Sequence, residues 1–473
     1  MKNYLFLFIF VCFNLTAQLE LLKQNWATDI DLKNASYGFC VLNAKTAEPI
    51  AEYNAHLALI PASTLKIATT SAALYLLGVN YRYETKIYIT GTLDKNSGIL
   101  KGNILIVGSG DPSLQSEYFT KDNSSLSDKW AKVIKEKGIT EIQGNIIADA
   151  SCFERSVPNN WIWEDISNYF GATACGLSFM DNKFKLSYTS KEKGSSATLI
   201  STSPNYLNST YAIQSAVIAQ GSEDEAYVYG DPFSFTRMVS GSIPPNKTNY
   251  EVEAALPDPA LLCAEQLYTA LKALGIKCGN TAAQSHYNKK QKDDSQQLLY
   301  THYSPTLEKL VYYTNLKSNN HYCESILLTL GKGERAAGLL AVKNYWQNRG
   351  LNGDELFMKD GSGLSRINTM TPNLQANLLQ KIVKDSLIYR VFSSSLPIAG
   401  KQGSISNIGK GKFIENNMRA KTGYITRVRA YCGYVTTRSG KALSFSVIIN
   451  NYTCSPKEAK VKMESFLNAL AEL

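Results

Sequence analysis

Imidazole and paired thiols are scarce in this chain. Only four histidines occur, His56, His286, His302 and His321, and none lies at metal-ligand spacing; no two cysteines form C-x-x-C. Neither a metal site nor a Ser-His-Asp triad is expected from so few groups. Basic blocks are missing as well. The 49 Lys+Arg against 40 Asp+Glu give a formal net charge of +9 spread along the chain, so nucleic-acid binding is not indicated. That charge licenses only a mild attraction to polyanionic surfaces. Beyond the N-terminal run, no stretch approaches the roughly 18 apolar residues of a membrane span, and there is no internal repeat.

What remains is an ordinary globular composition. The 473 residues are 44% hydrophobic and 19% charged, and at about 100–200 residues per domain the length predicts two to four domains. Lys2, the apolar run Tyr4 to Val11 and Ala17 before Gln18 read as a secretory signal peptide over residues 1–17. Its removal takes Cys12 and leaves Cys40, Cys152, Cys175, Cys263, Cys278, Cys323, Cys432 and Cys454. Export permits disulfides. Several of these residues sit inside apolar patterns, however, as in Gly38-Phe39-Cys40-Val41 and Ala430-Tyr431-Cys432-Gly433, and read as buried free thiols.

The texture changes twice along the chain. Residues 36–42 and 49–53 read as strands, and Pro61 opens a helix, Ser63 to Leu77, that is apolar on nearly every face and stops at Gly78. From about 82 to 290, short β-rich runs recur (83–93, 99–107, 141–148, 226–229 and 249–255), with helices at 127–137 and 259–274. Small antiparallel sheets are expected there. Helices return at 306–316, 320–330, 336–348 and 372–384. Strands at 417–423, 428–437 and 441–450 follow, and Ser455-Pro456-Lys457-Glu458 opens a last helix with a capping box. The ends therefore read as one α/β domain, 18–81 with 291–473, interrupted by a β-rich insertion over 82–290 of two subdomains.

Three short motifs carry chemistry. Ser63-Thr64-Leu65-Lys66 puts a hydroxyl and an amine one helical turn apart. A lysine buried there loses proton affinity and can take the serine proton without histidine, and the helix start offers N–H groups to an oxyanion. Ser318-Asn319-Asn320 offers a hydroxyl and a carboxamide two residues apart; by itself it also reads as a helix cap. Lys421-Thr422-Gly423, in a strand, offers positive charge, a hydroxyl and close backbone approach. Each alone is weak, and Ser190-Lys191-Glu192-Lys193 is a decoy of the first.

Taken together, in this order, the three resemble the S-x-x-K, S-x-N and K-T-G elements of the active-site serine penicillin-recognising enzymes. The long gap from Ser63 to Ser318 resembles the D-alanyl-D-alanine carboxypeptidase/endopeptidase of the peptidase S13, or penicillin-binding protein 4, type. Gly108-Ser109-Gly110-Asp111-Pro112-Ser113-Leu114, Tyr169-Phe170-Gly171-Ala172, Asp181-Asn182, Ser240-Gly241-Ser242-Ile243-Pro244, Asp360-Gly361-Ser362-Gly363-Leu364-Ser365-Arg366 and Leu396-Pro397-Ile398-Ala399-Gly400, followed by Gly403-Ser404, extend the resemblance over residues 35–450.

The resemblance implies an α/β (α+β) serine β-lactamase-like transpeptidase domain: an antiparallel sheet flanked by helices plus an all-helical subdomain, with β-rich inserted domains. It implies Ser63 as nucleophile, Lys66 as general base, and Ser318 with Lys421 as the proton relay to the leaving group. Asn320 would hold a peptide amide and Thr422 the substrate carboxylate. Gly423 lets substrate approach, and the N–H groups of Ser63 and Tyr424 would form the oxyanion hole. Arg366 and Asp149 are candidates for the far end of the substrate. Partners would be peptidoglycan stem peptides ending in D-Ala-D-Ala or D-alanyl cross-links, with β-lactams as covalent inhibitors. No cofactor or metal is implied, and the location would be the periplasm or cell envelope. Two departures stand out. Tyr424 is large for the position after K-T-G, and His321, beside Asn320, has no role in lysine chemistry and is expected on the helix surface. A β-lactamase is a rival reading, weakened by the long insertion and by Glu464-Ser465-Phe466-Leu467-Asn468, which mimics E-x-x-L-N but follows K-T-G. A non-catalytic wall-binding protein is the other rival; the intact lysines and serines argue against it.

Overall fold

The computed structural model describes residues 24–120, 125–206, 211–279, 282–288 and 296–473; the expected signal peptide lies outside them. The described chain parts into two compact units. The first comprises residues 24–80, Leu307–Asn319 and Leu339–Leu473, the second Tyr81–Thr306 and Asn320–Gly338. The sequence reading sets its boundaries at 81/82 and 290/291, whereas the second compact unit also takes in Asn320–Gly338.

The first unit is built on strands β1 (Ser36–Asn43), β2 (Pro49–Tyr53), β3 (Arg419–Ile425), β4 (Val428–Thr436) and β5 (Ala442–Asn450). All pair antiparallel in the order β3-β4-β5-β1-β2. β1 and β5 are buried almost throughout, because both faces of the sheet are covered and neither face can be polar. Helices α3 (Pro372–Val383) and α4 (Pro456–Glu472) supply the cover, and α1 (Lys66–Leu77) and α2 (Leu307–Lys317) belong to the same unit. The Ser455 capping box and Pro456 start α4 as the sequence predicts. Its Phe466 ring then lies 5.0 Å from Phe39 and 5.6 Å from Trp26, in one core with Phe445, Val447 and Ile449. Each such side chain contributes about 1.5–3 kcal/mol by leaving water. On the other face α3 crosses β5 and β1. α1, buried from Lys66 through Leu74, packs with α2 and the Ser386–Ser395 helix.

That Ser386–Ser395 helix is absent from the sequence reading, since no Pro or Gly marks it. Asp385 caps it by accepting from the Ile388 N–H at 3.0 Å.

The second unit corrects one expectation. Its five-stranded sheet runs Ala283–His286, Ile146–Asp149, Ile104–Val107, Glu84–Ile89, Gln297–Tyr303. The first three of these strands pair parallel rather than antiparallel. Parallel neighbours need long crossovers, and the chain between them carries the Leu126–Glu136 and Pro259–Ala273 helices, which share its core. Each of the runs 83–93, 99–107 and 141–148 is split in two. Thr92–Asp94, Ile99–Lys101 and Glu141–Ile142 peel away into a separate small sheet. At the parting the Asn145 N–H donates to Asn103 Oδ1 at 2.8 Å. Two further three-stranded sheets complete the unit, one of them built on the parallel pair Ala212–Ala219 and Thr236–Ile243.

Candidate active site

Ser63 stands on a 3-10 turn, Ala62–Leu65, that leads into α1. At three residues per turn, positions i and i+3 eclipse, which brings Lys66 Nζ to 3.0 Å from Ser63 Oγ. Lys66 is fully buried and Ser63 half-buried. The turn is held by β5 and α3. Asn450 of β5 accepts from Ile60 N at 2.8 Å and donates to Ile60 O at 3.0 Å. Buried Gln375 of α3 donates to Thr64 Oγ1 at 2.9 Å and accepts from Ser446 Oγ at 2.7 Å. The first bond of the turn runs from Thr64 N to Pro61 O, so the Ser63 N–H precedes the intrahelical ladder. Ala62, immediately before the serine, has φ +47, a left-handed conformation that a non-glycine residue adopts only under surrounding constraint.

The Asp360-Gly361-Ser362-Gly363 loop supplies part of that constraint. Lys66 Nζ also donates to Ser362 O at 2.7 Å, and Thr69 Oγ1 donates to Gly361 O at 2.9 Å. Buried Asp360 folds the loop, accepting from Gly363 N (2.7 Å), Ser365 N (2.6 Å) and Asn368 Nδ2 (2.9 Å). The sequence reading singled out Arg366 from this motif and missed the Ser362 carbonyl, the group that holds the lysine; the repeated glycine and Asp-Gly-Ser-Gly pattern was the available signal. Arg366 itself is half-buried and makes no hydrogen bond or ion pair among the described residues.

Lys421 of β3 donates to Ser318 Oγ at 2.8 Å and to Thr422 O at 2.8 Å. Ser318 follows α2 with φ +57 and does not cap the next helix. Thr422 Oγ1 donates to Ser404 Oγ at 2.8 Å, a hydroxyl the sequence reading named in the approach to K-T-G without giving it a role. β3 is the edge of its sheet. Ala399 N donates to Met418 O and Ala420 N to Pro397 O, so the even-numbered residues direct their backbone groups to that edge. By strand alternation the Tyr424 N–H points the same way. A Cβ on Gly423 would lie 2.4 Å from Pro61 O and 3.2 Å from Thr64 N. The missing side chain therefore lets the Lys421-Thr422-Gly423 strand meet the Ser63 turn. The structure thus brings Ser63, Lys66, Ser318, Lys421, Thr422, Gly423 and Tyr424 together on the first unit.

Asn320 and Asp149 fall in the second unit. Asn320 opens the Asn320–Leu330 helix and its Nδ2 donates to Phe170 O at 2.8 Å. Asp149 Oδ1 accepts from Ser151 N at 2.9 Å. His321 is a correction: it is buried, not on the helix surface. Its Nε2 lies 2.9 Å from Ser178 Oγ and 3.1 Å from Asn182 Nδ2. Burial, with Lys183 nearby, pushes its pKa down to about 3. The neighbouring Tyr322 hydroxyl donates to Asp181 Oδ1 at 2.9 Å. The Asp181-Asn182 motif thus holds the start of this helix. Glu464, of the misplaced E-x-x-L-N, accepts from Gly409 N at 2.7 Å, and Leu467 is core. The eight cysteines among the described residues form no disulfide, and six of them are buried. Among the described residues no group of three or more acidic, His or Cys side chains could hold a metal ion, and no helix is long and apolar enough to cross a membrane.

Comparison with known proteins gives the family and the fold. The model of the D-Ala-D-Ala carboxypeptidase 3 (S13) family matches residues 20–472. The D-alanyl-D-alanine carboxypeptidase DacB of Haemophilus influenzae is 26% identical over 91% of this chain and 88% of its own. The D-alanyl-D-alanine carboxypeptidase of an Actinomadura species is 25% identical, over 90% of this chain and 79% of its own. Among solved structures, penicillin binding protein 4 (dacB) from Haemophilus influenzae aligns with a TM-score of 0.78 at 24% identity, covering 95% of this chain and 98% of that one. A predatory peptidoglycan endopeptidase from Bdellovibrio bacteriovorus shares the fold at a TM-score of 0.52 and 16% identity, covering 93% of each chain. With the family model spanning nearly its whole length, the chain belongs to the D-Ala-D-Ala carboxypeptidase 3 (S13) family.

Proposed function

We propose that the protein hydrolyses peptidoglycan stem peptides through an acyl-enzyme on Ser63, releasing terminal D-alanine, opening D-alanyl cross-links, or both. The family gives the reaction class, a serine-type D-Ala-D-Ala carboxypeptidase. The observation that carries the assignment of residues is the 3.0 Å contact between Lys66 Nζ and Ser63 Oγ.

In this reading a neutral Lys66 takes the Ser63 proton as Oγ attacks the carbonyl of the penultimate D-alanine. The Ser63 and Tyr424 N–H groups receive the oxyanion. Ser318, oriented by Lys421 at 2.8 Å, passes a proton to the departing amine. Thr422, backed by Ser404, takes the substrate carboxylate. Asn320 holds a peptide amide, and Arg366 and Asp149 are assigned to the far end of the stem peptide. Water then deacylates Ser63. β-Lactams enter the same path and remain as adducts. The catalytic domain is 18–81 with 291–473, with 82–290 inserted, and the protein works outside the cytoplasm after loss of residues 1–17. The test is product analysis on purified muropeptides. Wild-type protein is expected to release D-alanine from pentapeptides or to split D-alanyl-linked dimers. The Ser63→Ala variant is expected to do neither; equal turnover by both proteins would refute the assignment.

A further inference from the structure

Tyr424 is half exposed, at 50%, although it directly follows the Lys421-Thr422-Gly423 segment. It pairs across β3 and β4 with Arg429. Because the Ala420 N–H faces the open edge, Ala420 with Gly433, and by alternation Tyr424 with Arg429, are non-hydrogen-bonded pairs, in which side chains stand closest. The Arg429 guanidinium accordingly lies 4.9 Å from the Tyr424 ring centroid. Its Nη1 donates to the Tyr431 hydroxyl at 3.3 Å, and its Nε is buried with no partner among the described residues. Arg429 joins no ion pair there. Two charged groups of opposite sign stand nearby, Lys460 and Glu464, and Arg429 is in ion-pair contact with neither among the described residues. A guanidinium spread on an aromatic ring with an N–H group unspent is suited to a carboxylate, and this one lies on β4 across from Tyr424, which stands two residues along β3 from Thr422.

We propose that Arg429, presented on the Tyr424 ring, is a specificity-determining residue for the carboxylate of the leaving group. That carboxylate is the C-terminus of a D-Ala-D-Ala peptide or the one beside the amine of a D-alanyl cross-link; the shared chemistry is an acid group on the carbon next to the leaving atom. The inference rests on the acyl-transfer reading of Ser63. It is tested with two thioesters of N-benzoyl-D-alanine, one with thioglycolate as leaving group and one with methyl thioglycolate, which lacks the charge. Wild-type protein is expected to favour the acid. Arg429→Gln is expected to lower the acid/ester ratio of kcat/KM by about tenfold or more, chiefly through KM, and Arg429→Lys, which keeps the charge without the fork, to fall between. A folded Arg429→Gln protein that loses both substrates equally, or neither, overturns the inference. If the Gln variant lacks a thermal transition, the Lys variant decides: an unchanged ratio overturns the inference. Wild-type protein that cleaves neither thioester overturns the acyl-transfer reading beneath it. D-Ala-D-Ala pentapeptide and cross-linked dimer, run in parallel, separate the two natural sources of the carboxylate.

Discussion

Lys66 and His321 are both fully enclosed basic side chains, and their surroundings give them opposite work. Lys66 faces the Ser63 hydroxyl and the Ser362 carbonyl, a site in which a proton can move between nitrogen and oxygen. His321 is fixed beside Ser178 and Asn182, and its pKa, pushed to about 3 by burial, keeps it neutral wherever the protein works. A histidine with a depressed folded-state pKa binds fewer protons folded than unfolded. It therefore contributes its full stability above about pH 6.5 and loses it progressively as pH falls toward 3. His302, pushed to about 4 by burial, acts in the same direction, while Asp111, raised to about 6, acts in the opposite one. The difference between wild type and His321→Gln isolates the histidine. Unfolding free energy measured from pH 7 to pH 4 is expected to fall more steeply in wild type, by up to about 1.4 kcal/mol per pH unit. Parallel pH profiles would mean that the imidazole is not held neutral. The residues of the site were legible in S-x-x-K, S-x-N and K-T-G because side-chain chemistry at fixed spacing is written locally. The roles of Ser362 and Ser404 and the burial of His321 were not, because a backbone carbonyl, a hydroxyl partner and a helix face are decided by distant packing.

At the scale of elements, the site depends on backbones that meet without side chains between them. Gly363 has φ +84, and a Cβ there would fall 1.9 Å from Ala62 O, just before Ser63. Gly363→Ala is expected to cost about 2–4 kcal/mol, from the positive φ and the overlap together. It should also slow β-lactam acylation, because the Ser362 carbonyl and the Ser63 turn shift together. Thermal unfolding and a stopped-flow acylation assay check the two effects; a variant with wild-type melting and wild-type acylation would remove the loop from the account. Elements with strong punctuation were readable: Thr371-Pro372 starts α3, Ser455-Pro456 starts α4 and Gly78 ends α1. The Ser386–Ser395 helix and the strands Lys183–Ser190, Thr198–Ser203, Ala212–Ala219 and Thr236–Ile243 were not read. Thr198–Ser203, polar and largely exposed, separates poorly from loop, whereas Lys183–Ser190 alternates buried and half-buried positions and carried a strand signal that was passed over.

On the scale of the whole molecule, the alternation of textures conveyed a mixed α/β chain with a β-rich middle, and the S13 match over residues 20–472 agrees with it. Sheet order and direction were beyond reach, because parallel pairing in the second unit is set by crossover helices rather than by any strand's own residues. Both units keep their own hydrophobic cores, and Ser63, Lys66 and the Lys421 strand all belong to one of them. The central claim is that this unit presents Ser63 as the group that is acylated. The most direct measurement is intact-mass spectrometry of the mature protein after brief exposure to benzylpenicillin, followed by peptide mapping. One added penicilloyl group is predicted on Ser63, with no adduct on Ser63→Ala. Unmodified wild-type protein, or an adduct that persists in the Ser63→Ala variant, would contradict it.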